Sequence, residues 1–300
     1  MRSHVVCPTL RLALAAALGM AATVPSAAAP DPALTARAVI DRIKAHVGIP
    51  WTEPTVDTFK AGDPDTPVTG IAVTMMATFD VIQRAAAEHK NLVITHEPTF
   101  YGHQDATTEL EQEHDALFKA KSDFIAAHHM VVWRFHDHWH RMTPDGIMTG
   151  MARALAWGGY AKPGDPGIFT MPETTLGELA ASVKQKLDAH TLRVVGDPEM
   201  KVTGVGLAPG FAGSSINRHV LQRTDVQVEV IGEAHEWEIV EYAADAGTAN
   251  LGKALIVIGH IPSEQAGMQE CVRWLKTFVS EVPVALVPAK QPFWEPEGKK

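Results

Sequence analysis

Three segments of the chain set histidine beside carboxylate, each directly after a run that reads as a strand. Ile94-Thr95 leads into His96-Glu97-Pro98, and Arg134-Phe135 leads into His136-Asp137-His138-Trp139-His140. Ile258-Gly259 leads into His260, with Glu264 about one helical turn further on. Imidazole mixed with carboxylate suits zinc, iron, manganese or nickel, whereas calcium and magnesium take all-oxygen cages. A bridging carboxylate can also hold two cations a few ångströms apart. Each piece alone has an ordinary explanation: a His-Glu pair as a hydrogen-bonded loop, or Glu264 as a helix-start acid serving the dipole. The alternation of His136, His138 and His140 carries more weight, because imidazoles rarely gather without a ligand. A fourth corner, Gly232-Glu233-Ala234-His235, offers Glu233 to hold an imidazole or move a proton, and His235 to touch substrate.

Other chemistries lack their residues. The chain has no His-Glu-x-x-His helix and no Gly-x-Ser-x-Gly elbow, and neither Cys7 nor Cys271 sits in a nucleophile motif. The glycine-rich stretch 204–213 reads as a turn between strand and helix that could expose backbone to an anion. It lacks the Gly-Lys-Ser/Thr ending of a P-loop. His103 and Asp105 are candidates to line a cleft.

The elements that must position these corners alternate between short apolar runs and amphipathic segments, the pattern of layered α/β proteins. Strands are expected at 68–75, 91–95, 130–135, 192–195, 202–207, 226–231, 254–258 and 282–287. Helices are expected at 79–89, 109–128, 146–157, 176–190, 235–246 and 264–279. In open α/β sheets, ligands gather at the carboxyl ends of strands, where the histidine corners fall. The expected fold class is α/β: two lobes with mixed sheets flanked by helices, and the metal site in the cleft. Residues 158–167 hold four glycines and two prolines. They divide an N-terminal lobe, 30–157, from a C-terminal region, 158–300, that returns His260 and Glu264.

Composition excludes some classes. Of 300 residues, 46% are hydrophobic, enough for a large core and too many for a disordered chain. The net charge of −9 comes with no dense Lys/Arg cluster, which argues against a nucleic-acid partner. Residues 1–29 carry Arg2, Arg11, no acid, an apolar run from Leu12 to Val24, and Ala27-Ala28-Ala29. That is the layout of a secretory signal peptide cleaved near Ala29. The mature protein is then periplasmic or secreted, free of the membrane, with Cys271 as its single cysteine and no intrachain disulfide.

Taken in order, these corners resemble the Nif-three-like dinuclear metal-centre family, often labelled GTP cyclohydrolase I type 2 homologues. The similarity runs from about Val68 to the last helix. It is most specific in Gly232-Glu233-x-His235, an Ala-rich helix, a strand, and Gly259-His260-x-x-x-Glu264. The resemblance implies two α/β lobes, two divalent metals in the cleft and a hexameric ring. It assigns His96, His260 and Glu264 as ligands. Glu97 stands where a second His is usual and His140 where an Asp is usual, and Asp137 could supply that carboxylate by a small shift of its loop.

The expectation is an exported metal-dependent hydrolase. One or two transition-metal ions (zinc, iron or manganese) would be held by His96, Glu97, His140, His260 and Glu264. His136, Asp137 and His138 would be supporting or alternative ligands, and Glu233 and His235 would be proton-moving groups. Its partners would be a small-molecule substrate and further copies of the chain. A non-catalytic metal-binding or scaffold protein with a saturated site is the alternative.

Overall fold

The structure is a computed structural model that describes residues 1–6 and 33–296. The apolar run and cleavage site of the expected signal peptide lie outside the described residues. The chain divides into two compact units, residues 1–32 and 33–300. In the first, the described residues 1–6 carry no helix or strand. In the second, no described helix is long and apolar enough to cross a membrane.

The second unit runs α1 (Ala36–His46), β1 (Phe59–Ala61), β2 (Ile71–Met76), α2 (Phe79–Ala87), β3 (Leu92–Glu97), α3 (Thr108–Gln112) and α4 (Ala116–Ala127). It continues with β4 (Val131–Arg134), α5 (Asp137–Arg141), α6 (Gly146–Ala154), β5 (Ala161–Lys162), β6 (Asp165–Thr175) and α7 (Leu176–Lys186). Then come β7 (Arg193–Val195), β8 (Lys201–Ala208), α8 (Ser214–Leu221), β9 (Val228–Ile231), α9 (Glu241–Thr248), β10 (Ala254–Val257), α10 (His260–Leu275) and β11 (Val284–Leu286). Two mixed sheets result, ordered β1-β4-β3-β2-β11 and β5-β6-β8-β9-β10-β7, so the expected α/β class with mixed sheets flanked by helices is what the chain adopts.

In the first sheet β4, β3, β2 and β11 are parallel and only β1 runs against its neighbour. Strands β2, β3 and β4 are almost wholly buried, because helices cover both faces of a parallel sheet. That coverage is why they read as continuous apolar runs and not as alternating ones. Helix α10 contributes Ile261, Met268, Cys271 and Leu275 to the core under this sheet. Met151 of α6 and Leu155, which caps its end, enter the core under the second sheet, with Val205, Val228 and Ile256. Helices α6 and α10 cross where Gly150 meets Gly267, and a Cβ on Gly150 would collide with the α10 backbone.

Strands β1, β5 and β6 and helices α5 and α8 are additional to the expected elements, and two of the expected helices take a different form. The five-turn helix expected over 109–128 breaks into α3 and α4. His114 takes a left-handed φ of 53°, and Asp115 starts α4 afresh by accepting from the Phe118 N–H. The helix expected from His235 opens as a π-helical turn, Glu236–Val240, before α9.

One buried group makes the fold pH-sensitive. Glu229 of β9 is fully buried, and neither carboxylate oxygen has a hydrogen-bond partner. Burial pushes its pKa up to about 8. The unfolded chain releases this proton in the ordinary glutamate range, so the native state becomes relatively less stable as pH rises toward 8. Urea unfolding of Glu229→Gln against the parent should show a stability advantage that grows by on the order of 3 kcal/mol between about pH 4.5 and 8. A difference independent of pH would contradict the assignment.

Candidate metal centre

The carboxyl ends of strands from both sheets meet at one place. β3 ends in His96 and Glu97, and β4 runs through Arg134 and Phe135 to His136. β8 leads to Gly210, β9 to Gly232 and Glu233, and β10 to Gly259 and His260, the first residue of α10. Helix α5 presents His140, and one turn into α10 lies Glu264.

The imidazoles share one arrangement, with Nδ1 held from outside and Nε2 turned inward. His96 Nδ1 donates to the Phe135 carbonyl at 3.0 Å, His136 Nδ1 to Asp137 Oδ1 at 2.9 Å, and His140 Nδ1 to Asp145 Oδ2 at 2.9 Å. His260 Nδ1 lies 3.4 Å from Glu233 Oε1. A neutral ring that donates from Nδ1 carries a lone pair on Nε2. The Nε2 atoms of His96 and His140 face each other at 3.1 Å. Two lone pairs repel at that distance unless a proton or a cation lies between them.

Two carboxylates complete the inward set. Glu97 Oε1 lies 3.4 Å from His260 Nε2 and 3.5 Å from His136 Nε2, while Oε2 is taken by Arg134 at 3.2 Å. Glu264 Oε2 approaches His260 Nε2 at 3.1 Å and His96 Nε2 at 3.6 Å. It is buried with no hydrogen-bond partner, as is His260 Nε2. Buried polar atoms without partners are costly, and here they converge. One donor atom each from His96, His136 and His140 lies within 4.8 Å of the others, and so do those of His96, Glu97 and Glu264. These residues fit a divalent transition metal: a mixed nitrogen and oxygen set, inward lone pairs and buried atoms left unpaired.

The local electrostatics agree. Burial and the neighbouring imidazoles hold His96 far below the ordinary histidine range, and burial also lowers His136. Burial acts in the same direction on His140, but Asp145 outweighs it and raises the group. Burial is likewise outweighed at His260, where Glu233, Glu264 and Glu97 carry the imidazole up to about 12. His260 of the metal-free chain is therefore protonated at neutral pH, and a metal ion must displace that proton. Zinc titrations in buffers of different protonation enthalpy should show about one proton or more released per chain, with affinity rising between pH 6 and 8. Uptake without proton release would contradict this arrangement.

Two residues expected near the metal stand apart. His138 is buried, donates from Nδ1 to Asp57 Oδ2 at 2.7 Å, and accepts the Thr52 N–H on Nε2 at 3.1 Å. Both nitrogens are satisfied, so it braces the loop and has no lone pair for a metal. Asp137 accepts from the Thr55 hydroxyl, the Val56 N–H and His136, which hold its pKa down at about 2 despite burial. It aims His136 and does not replace the carboxylate that the resemblance leads one to seek. Glu233 lies on the outer side of His260, the place of a positioning residue. His235 is exposed and lies 3.5 Å from Glu238.

Several positioning groups are additional to those expected. Arg134 is fully buried and donates to the His96 and His103 carbonyls as well as to Glu97. Its signal was a lone charge in an apolar strand. Asp57 accepts from the backbone N–H groups of His136, Asp137 and His138, and nothing around it in the sequence marks it. Asp145 caps α6 with one oxygen and holds His140 with the other. Gly210, at φ 68°, sits so close to Glu264 that a Cβ would strike its carboxylate. The glycine-rich stretch thus forms a wall of the centre.

Residues 56–292 match the Duf34/NIF3 family (NGG1p interacting factor 3). The fold is similar to that of the Staphylococcus aureus protein SA1388, at 16% identity over 87% of this chain and 99% of that one, with a TM-score of 0.64. A Bacillus cereus protein related to NIF3 aligns at 15% identity over 89% and 99%, with a TM-score of 0.64. Reduced HcgD from Methanocaldococcus jannaschii aligns at 16% identity over 84% and 97%, with a TM-score of 0.62. No curated protein shows significant sequence similarity.

Proposed function

We propose, from the premise that this chain belongs to the Duf34/NIF3 family, that it is an exported metal-dependent hydrolase. Its centre would be held by His96, Glu97, His136, His140, His260 and Glu264. The observation that carries this reading is the pair of facing ring nitrogens of His96 and His140, beside the unpartnered oxygen of Glu264. A bound transition metal supplies a water of lowered pKa and a Lewis-acid contact to the scissile group.

The chain's own residues do the positioning. Phe135, Asp137, Asp145 and Glu233 fix the four rings, and such outer partners typically matter 10–100-fold, as an order of magnitude, in metal affinity or activity. Burial opposes the charge on Glu97, but His260 first, then His136 and Arg134, outweigh it and keep the carboxylate ionised, while Arg134 takes Oε2 and leaves Oε1 free to face inward. His96 and Glu264 are buried, whereas His136, His140 and His260 are partly exposed, so substrate approaches from their side. Glu97 and Glu264 are the inward carboxylates available to accept a proton there.

The two donor trios share His96, which suits one ion or two. Six donors around a single ion would close an octahedral shell, the arrangement of a storage or scaffold protein. Two ions leave positions for water. Elemental analysis of the chain purified without chelator tests this. Two equivalents support the hydrolase, one equivalent with six protein donors by X-ray absorption supports the non-catalytic reading, and none after reconstitution removes both. The same reading has the mature chain beginning near Pro30, acting in the periplasm or outside the cell, and assembling as a homo-oligomer, a hexameric ring by family resemblance. N-terminal sequencing of the secreted protein and sedimentation equilibrium test those parts.

A further inference from the structure

Beside the metal donors lies an exposed row of three rings, Phe211, His235 and Trp237. The His235 ring lies 5.2 Å from Phe211 and 5.3 Å from Trp237, the latter nearly parallel at 16°. Phe211 is 46% exposed and Trp237 73%. Clustered exposed aromatics on an otherwise acidic chain mark a contact surface.

The row is joined to the centre through the backbone at both ends. Phe211 follows Gly210, which packs on Glu264 and His260, and His235 lies two residues beyond Glu233, the outer partner of His260. Trp237 stands on the π-helical turn Glu236–Val240. Such turns are rare and occur frequently at functional sites, because the wider turn re-aims side chains. The turn is anchored by Ile239, buried with Leu221 and Ala243, so the outward placement of Trp237 is built on a packed base.

Charge around the row selects among ligands. Glu233 lies 3.4 Å from His260, and Glu236, Glu238 and Glu241 follow along the same segment. Glu236 is paired with Arg193 and Glu238 with His235. No cation on this segment is left over for a phosphate. A carboxylate-rimmed aromatic surface favours a flat cation or a neutral ring.

We propose that this row is the substrate platform of the hydrolase: it stacks a planar nitrogen-containing heteroaromatic ring, neutral or cationic and free of phosphate, whose scissile substituent reaches the metal centre past His260. This rests on the hydrolase reading above and names its substrate class. A second copy of the chain on the same rings is the competing occupant.

Isothermal titration of the full-length, metal-loaded protein with 1-methylquinolinium, and with 2-naphthalenesulfonate as an anionic ring of similar size, tests the platform. The expected result is saturable binding of the cation, at least about tenfold tighter than the anion. Trp237→Ala and Phe211→Ala should each weaken it about tenfold without altering metal content. Both side chains are exposed, so the variants should fold. The platform is overturned if the cation does not bind, if the anion binds as tightly, or if Trp237→Ala leaves affinity unchanged. It is also overturned if that substitution shrinks the oligomer in sedimentation while the probe binds as before. A chain that holds metal and ignores the probe loses the platform alone. One that binds the probe but takes up no metal loses the hydrolase reading, and the substrate role with it.

Discussion

The double substitution His260→Ala/Glu264→Ala is expected to lower metal affinity by at least about a hundredfold, so that the purified chain carries almost none. His260 and Glu264 occupy one face of α10, a helical turn apart, and supply one inward nitrogen and the most deeply buried inward carboxylate. Their loss leaves His96 facing His140 with Glu97 as the one remaining carboxylate of the inward pair. The helix itself should persist, because Ile261, Met268, Cys271 and Leu275 anchor it in the first core. Removing Glu264 also removes a buried, unpartnered oxygen, so the metal-free variant should unfold close to the temperature of the metal-free parent. Elemental analysis and thermal unfolding of both chains check the two halves. Full metal content in the variant would mean the centre lies elsewhere.

Arg134→Met is expected to cost about 3–5 kcal/mol of stability and to weaken metal binding as well. The guanidinium is completely buried, donates to two carbonyls and Glu97, and lies 3.9 Å from the buried Asp105. Methionine fills much of the volume but answers none of these groups, leaving two carboxylates buried beside the first sheet with one cation fewer. Lys60, also 3.9 Å from Asp105, is held below the ordinary lysine range by its own burial and compensates little. Denaturant unfolding of the metal-free proteins measures the first effect and zinc titration the second. A loss under about 1 kcal/mol would show that the pocket relaxes enough to hydrate its carboxylates.

The sequence made the periodic and clustered features legible. Buried parallel strands read as apolar runs because both faces are covered, and the histidine corners stood out because imidazoles seldom crowd without cause. Which histidines face inward was not legible. His136, His138 and His140 look equivalent in the chain, yet Asp57 takes His138 away while Asp137 and Asp145 turn the other two inward. That choice depends on residues far off in sequence, such as Asp57 and Thr52, whose approach only the folded chain brings about. The break at His114 is not legible because the apolar positions continue across it, and a left-handed residue leaves little trace in periodicity. On sequence grounds Glu233 could hold an imidazole or move a proton, and its place behind His260 favours holding the ring.

The first sheet is closed by the last strand. β11 pairs with β2, and α10 packs against both, so a chain emerging from a ribosome cannot complete this sheet until α10 and β11 have appeared. Contacts so distant along the chain must meet the entropy of closing a long loop before they stabilise anything, which makes folding slow and strongly all-or-none. The metal donors follow the same timetable, since His96 waits for His260 and Glu264. Metal capture at this centre would therefore report a finished molecule: a chain truncated before α10 would leave β2 without its β11 partner and would lack His260 and Glu264.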